Sequence, residues 1–175
     1  MSAAPTPDPD SSPAPDVDPR LMRDVLGHFA SGITVITAVT QDRPIGFTCQ
    51  SFSSLSLDPP LVLFAPGRSS RTWPLLRALG AFCVNVLADE QADLSQAFAR
   101  SGVDKFAGVE WAPSPAGHPR LSGVAAWLDC GLHAEHDGGD HTIVTARVLD
   151  LGADETRTPL LYHRGSYTRS APIAD

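Results

Sequence analysis

The runs Val124 to Glu135 and Thr142 to Leu151 both read as long strands, and Asp137-Gly138-Gly139-Asp140 joins them. Glycine reaches backbone angles that a Cβ forbids, so this cluster permits a tight reversal and predicts one long antiparallel hairpin. Ile33 to Val39 is β-branched and passes through the turn-like Gln41-Asp42-Arg43-Pro44 into Ile45 to Ser53, which predicts a second hairpin. Leu61 to Ala65 and Phe82 to Leu87 read as buried strands. Six or seven antiparallel strands of this kind fit a closed barrel better than an open sheet, because closure removes edges with unpaired backbone groups.

Helices are short and inserted between strands. Asp18-Pro19 offers an N-cap and a proline at the first helical position, and Leu21, Met22, Val25 and Phe29 recur on one face, so an amphipathic helix is expected to end near Ser31. Arg71 to Leu79 has helical spacing and stops at Gly80, with Pro74 near the start, where proline is tolerated. Asp89 reads as the N-cap of a further helix marked by Leu94 and Phe98 and ending near Gly102. Strands and helices do not alternate, and no Gly-x-Gly-x-x-Gly follows a strand, which disfavours a dinucleotide-binding α/β domain.

With 175 residues, 42% of them hydrophobic, the chain suits one domain with a real core. Met1 to Val17 holds Pro, Asp, Ser and Ala with almost no bulky apolar residue; it is expected to be a disordered tail before a domain over residues 18–170. The formal net charge of -7 repels phosphate backbones and anionic lipid, and no basic run offsets it, which argues against nucleic acid and membranes as partners. No apolar stretch reaches the roughly 20 residues of a membrane span. The N-terminus also lacks the basic start and apolar core of a signal peptide, so a cytoplasmic location is expected. Cys49, Cys83 and Cys130 are odd in number and far apart, as expected of free buried thiols rather than a disulfide framework or a zinc site. His133, His136 and His141 lie near Asp137 and Asp140, yet strand geometry sends His133 and His136 to opposite faces, so no metal is expected.

The chemistry concentrates in Gly46-Phe47-Thr48-Cys49-Gln50-Ser51-Phe52-Ser53-Ser54-Leu55-Ser56-Leu57-Asp58-Pro59-Pro60-Leu61, where hydroxyls and one amide sit on an apolar, strand-like background. Such a surface offers neutral donors and acceptors to a flat polar ligand without burying charge. The stretch resembles the signature of the short-chain flavin reductases, the NAD(P)H-dependent partners of two-component monooxygenases, through Thr48, Ser51, Phe52, Ser54, Ser56, Leu57, Pro59 and Pro60. Cys49-Gln50 stands where that family more often has Ala-Asn. The order of later motifs also matches: Leu61 to Pro66, Arg68-Ser69-Ser70-Arg71-Thr72-Trp73, Gly80 to Leu87, Asp104-Lys105-Phe106, Gly138-Gly139-Asp140-His141 and Pro159 to Tyr162.

The resemblance implies a mainly β, split β-barrel of the Greek-key, FMN-binding type that pairs as a homodimer. It implies flavin contacts from Thr48, Cys49, Gln50, Ser51, Ser54, Ser56 and Pro66, and a flavin phosphate at Ser69, Ser70, Arg71 and Thr72. Lys105 and Phe106 would lie near the flavin, and His141 beside the nicotinamide as the catalytic position. Tyr162, Arg164 and Tyr167 are further cofactor-binding candidates, since a tyrosine ring can lie on a cofactor while its hydroxyl stays wet. The implied activity is hydride transfer from NADH or NADPH to FMN or FAD, with reduced flavin passing to an oxygenase component. Among relatives, the likeness is greatest to reductases of actinobacterial hydroxylases that act on steroid-derived phenols, through Gly46 to Phe52 and His136 to His141. Two alternatives stay open: a flavin-binding electron-transfer or storage protein without nicotinamide turnover, and an oxidase like those of pyridoxamine phosphate.

Overall fold

The computed structural model describes residues 17–41 and 43–171, so the expectation for Met1 to Val17 falls almost entirely outside it. Helix α1 (Pro19–Leu26) leads to strands β1 (Ser31–Gly32), β2 (Thr34–Val39), β3 (Pro44–Cys49), β4 (Ser53–Leu57) and β5 (Pro60–Phe64). Then follow α2 (Trp73–Leu79), β6 (Ala81–Val86), α3 (Ala92–Ala99), β7 (Trp111–Pro113) and β8 (Pro119–Leu121). The chain finishes with β9 (Ala126–Gly138), β10 (His141–Ala153), β11 (Leu160–His163) and β12 (Ser166–Arg169). Seven strands form one antiparallel sheet in the order β3-β2-β6-β9-β10-β5-β4, and β1-β11-β12 and β7-β8 form smaller sheets.

The curled seven-stranded sheet does not close by strand pairing. The expected strand over Ile45 to Ser53 is broken: β3 ends at Cys49, β4 begins at Ser53, and these two strands are the sheet's opposite edges. Just beyond the β4–β5 pair Ser53–Leu63, the Ser51 hydroxyl donates to the Ala65 carbonyl at 3.0 Å and accepts from the Ala65 N–H at 2.8 Å. One side chain thus extends the β4–β5 pairing into the segment that joins β3 to β4.

Period-2 alternation lets β2 serve two cores. Ile36 and Ala38 join Phe64, Trp73, Leu76, Phe82 and Val144, while Val35 joins Ile33, Leu87, Phe98, Leu121 and Leu160. In the first core Phe64, Trp73 and Phe82 pack edge to face, with ring centroids 5.4 Å apart for Phe64–Trp73 and Phe64–Phe82. Each such pair is worth about 0.5–1.5 kcal/mol beyond its buried area. The buried Asp129 accepts from Ser114 Oγ at 2.6 Å and from the Ala116 N–H at 2.9 Å, which satisfies its carboxylate and holds the β7–β8 loop on the barrel. Cys49, Cys83 and Cys130 are free and buried. No helix among the described residues is long and apolar enough to cross a membrane.

Local expectations differ at three places. Helix α1 stops at Leu26, short of Ser31, because the chain must straighten there for β1 to pair with β11 at Ser31 and Tyr162. Its apolar residues do not face the core: Leu21, Met22, Val25 and Leu26 are all exposed, as is Phe29 just after the helix. Asp89 is not the N-cap of α3; its N–H bonds the Thr158 carbonyl, and the cap position falls to Gln91, whose amide oxygen accepts from the Ala88 N–H.

Candidate functional site

Two cavities of about 630 and 730 Å³ lie side by side and share Phe47, Thr48 and Gly67. The first is walled by Arg43 to Thr48, by Ser69 to Thr72, and by a loop that includes Asp104, Lys105 and Phe106. The second is walled by Leu26 and Phe29, the Cys49–Ser53 segment, Pro66 and His141. Volumes of this size suit a cofactor or dinucleotide fragment.

The wall of the second cavity owes its character to the break between β3 and β4. Gln50, Ser51 and Phe52 fall between the registers of β3 and β4, so their peptide groups are not used by a sheet ladder. That backbone is a row of neutral donors and acceptors, the kind of edge a flat heterocycle pairs with. Several side chains of the same stretch are engaged elsewhere. Thr48 Oγ1 donates to the Ser95 carbonyl at 2.6 Å, Ser51 Oγ donates to the Ala65 carbonyl at 3.0 Å, and Cys49 Sγ sits 3.3 Å from Ser51 Oγ. Burial pushes the Cys49 thiol pKa up, so it behaves as a neutral core group. Ser31 Oγ, on the wall of the second cavity, is buried without a hydrogen-bond partner and offers a donor or acceptor to whatever binds there.

Gly46 and Lys105 shape the first cavity from below. A Cβ on Gly46 would stand 2.9 Å from the Phe98 ring and 2.9 Å from the Ile36 carbonyl oxygen, so the close seat of α3 on β3 requires glycine. Lys105 Nζ donates to the Gly46 carbonyl at 3.0 Å and to the Phe98 carbonyl at 2.8 Å, pinning its loop to β3 and to the end of α3. Burial lowers its pKa. Two of three ammonium protons are committed, so one remains for a ligand. Phe106 packs edge to face between Phe98 and Trp111, at 4.9 and 6.3 Å, which makes it a rigid wall.

The Ser69–Thr72 loop is clamped from both ends. Ser70 Oγ accepts from the Trp73 N–H at 3.1 Å, and the Trp73 indole donates to Glu135 Oε1 at 3.0 Å, with Arg77 on the other carboxylate oxygen. Arg71 is exposed along the cavity and has no ion-pair partner among the described residues. By contrast Arg68 is held by Asp137, whose pKa is lowered first by the Gly139 N–H and then by that guanidinium.

His141 opens β10 just after the Gly139-Asp140 turn, where Gly139 takes the left-handed φ of 75°. Its Nδ1 lies 2.6 Å from Asp140 Oδ1, a contact that holds the Asp140 carboxyl below the usual range. The turn is tied to the loop before Ser69 by Arg68 N–H to the Asp140 carbonyl and Thr142 N–H to the Pro66 carbonyl.

Of the residues singled out in the sequence, Thr48, Ser69, Ser70, Arg71, Thr72, Lys105 and Phe106 meet in the first cavity. Thr48, Cys49, Gln50, Ser51, Pro66 and His141 meet in the second. Ser54 and Ser56 lie on the edge strand β4, and Tyr162, Arg164 and Tyr167 also line neither cavity. The Tyr167 hydroxyl donates to Ser95 Oγ at 3.0 Å and its ring packs on Tyr162, while the Arg164 N–H bonds the Gly27 carbonyl in the β11–β12 turn. Arg43, Gly67, Ser31, Leu26 and Phe29 line the cavities without having been marked as site residues. Arg43 read as a turn residue and Leu26 and Phe29 as ordinary parts of an amphipathic segment.

Residues 26–171 match the family described as flavin reductase like domain. The chain is 49% identical over 156 residues to the reductase subunit HsaB of a flavin-dependent monooxygenase from Rhodococcus jostii, covering 89% of this chain and 80% of that protein. It is 42% identical over 158 residues to a flavin reductase from Pseudomonas putida, covering 90% and 93%. The solved structure of the Streptomyces globisporus NADH:FAD oxidoreductase SgcE6 in complex with NAD and FAD fragments superposes with a TM-score of 0.85 at 38% identity, covering 93% of this chain and all of that one.

Proposed function

This chain belongs to the flavin reductase like domain family, and from that membership we propose an NADH:flavin oxidoreductase that supplies reduced flavin to a separate oxygenase component. The observation that carries the reading is the pair of adjoining cavities with a common wall at Phe47, Thr48 and Gly67, which suits two rings brought face to face. The redox chemistry belongs to the bound groups: a hydride leaves nicotinamide C4 and arrives at flavin N5. The protein's part is orientation. The backbone of Gln50 to Phe52 offers neutral hydrogen-bonding groups on the wall of the second cavity, the Ser69–Thr72 loop with Arg71 suits a phosphate, and Asp140 steadies His141 at the edge of the second cavity. Alignment of two reactants alone removes much of the barrier, so no side chain need act as nucleophile or acid.

Anaerobic mixing with NADH and excess FMN or FAD tests the reading. Flavin absorbance should bleach over many turnovers; reduction that stops at one equivalent per chain would point to a storage or electron-transfer protein instead.

The working unit is a homodimer. Leu21, Met22, Val25, Leu26 and Phe29 expose a contiguous apolar face on and just after α1, and Phe29 is 79% exposed. Monomeric proteins seldom leave such a face to water. Leu26 and Phe29 also line the second cavity, so a second copy on this face would complete that site. Sedimentation velocity should find a dimer that Phe29→Glu converts to monomer with a raised Michaelis constant for NADH; a wild-type chain that sediments as a monomer at micromolar concentration would refute this.

A further inference from the structure

The first cavity continues well past the point where the two cavities meet. Five successive residues of β3, Pro44 to Thr48, line it, with Thr48 and Phe47 at the shared end and Arg43 just beyond the other. At about 3.3 Å per strand residue, the path from Thr48 to Arg43 is about 16 Å. The Ser69–Thr72 loop enters from Gly67, at the shared end. Arg71 and Arg43 are therefore two cationic stations on one cavity, on separate elements of the fold.

Both are available to an anion. Among the described residues, Arg68, Arg77 and Arg157 are in ion pairs and Lys105 is on two carbonyls, while Arg43 and Arg71 are in none. The Arg43 backbone is held by Thr40: Thr40 Oγ1 donates to the Arg43 carbonyl at 2.9 Å and accepts from the Arg43 N–H at 3.2 Å. Asp104, the carboxylate on the same wall, accepts from the Phe106 N–H at 3.0 Å. In a chain of net charge -7, a second guanidinium on the wall of the cavity that Arg71 also lines makes that cavity locally favourable to an anion.

One phosphate ester needs one such station; a second, farther station suits a ligand with a second phosphate and an aromatic base, both of which a guanidinium recognises, by forked hydrogen bonds and by stacking. We propose that the Arg43 end of this cavity is a subsite for the adenylate half of FAD, and that Arg43 is the residue that separates FAD from FMN. The inference rests on the flavin reductase reading above. The nicotinamide dinucleotide carries an adenylate too, and the test separates the two sources.

Dissociation constants for FAD, FMN, riboflavin and ADP-ribose, measured by fluorescence titration without turnover, decide the matter in the wild-type chain and in Arg43→Ala. The wild type should favour FAD over FMN, and the variant should lose about tenfold or more on FAD while FMN and riboflavin hold their values, the loss expected from one charge-assisted contact. Unchanged riboflavin affinity also reports that the variant is folded. Equal loss for FMN and FAD, no loss for either, or loss confined to ADP-ribose would each overturn the proposal. Failure of the wild type to bind any flavin would instead overturn the flavin reductase reading itself.

Discussion

Replacement of His141 by alanine should raise the Michaelis constant for NADH, or slow hydride transfer, by about a hundredfold, the order expected when a reacting group is slightly misplaced. The histidine is fixed from several sides. Asp140 Oδ1 engages Nδ1 at 2.6 Å, and the turn is strapped to Pro66 and Arg68 by backbone hydrogen bonds. Nε2 lies on the Gly67 side: a Cβ built on that glycine would be 3.7 Å from it. The free nitrogen is thereby held at the second cavity, next to the wall that both cavities share. Because His141 is absent from the first cavity, flavin affinity should stay near the wild-type value. Stopped-flow reduction with NADH deuterated at C4 reports on the step directly. Normal reduction combined with lost flavin binding would make His141 a structural residue.

Arg71→Ala should weaken FMN and FAD by about ten- to a hundredfold while riboflavin, which has no phosphate, changes little, since a hydrogen bond to a charged group contributes about 1.5–3 kcal/mol. Arg71 is the safer substitution in its loop. Ser70 also accepts from the Trp73 N–H, so its removal would disturb the start of α2 as well as any ligand contact. The Arg71 side chain has no partner among the described residues whose loss would confuse the reading. Equal weakening of all three flavins would place the phosphate elsewhere. Together with Arg43→Ala, the variant forms a graded series in which riboflavin depends on neither arginine, FMN on one and FAD on both.

The comparison between sequence and structure divides along the range of the interactions involved. Asp137 to Asp140 read as a reversal and is one, with β9 and β10 paired from Gly138 and His141 outward, because a two-residue turn between strands depends on backbone angles that glycine supplies locally. The end of α2 at Gly80 was legible for the same reason, since a left-handed φ of 69° is a property of that residue. The hydroxyl-rich stretch from Gly46 lies at the two cavities, which Thr48 to Ser51 line.

What each hydroxyl does was not legible there. Ser51 reaches Ala65 and Thr48 reaches Ser95, partners supplied by distant parts of the chain, so their side chains shape the wall and leave the backbone to face a ligand. Tyr167 likewise spends its hydroxyl on Ser95. The apolar pattern of α1 correctly announced an amphipathic helix, but periodicity describes one helix's own surface and says nothing about what covers it. Arg43 and Arg71 share a cavity only because β3 and the loop before α2 are brought together by the curled sheet. The sequence alone determined the turns, the helix stop at Gly80, the β character and the region of the site, all matters of near-neighbour stereochemistry and local pattern. Only the tertiary structure decided which side chains are free to meet a ligand, because that depends on hydrogen-bond partners and close approaches between segments far apart in the chain.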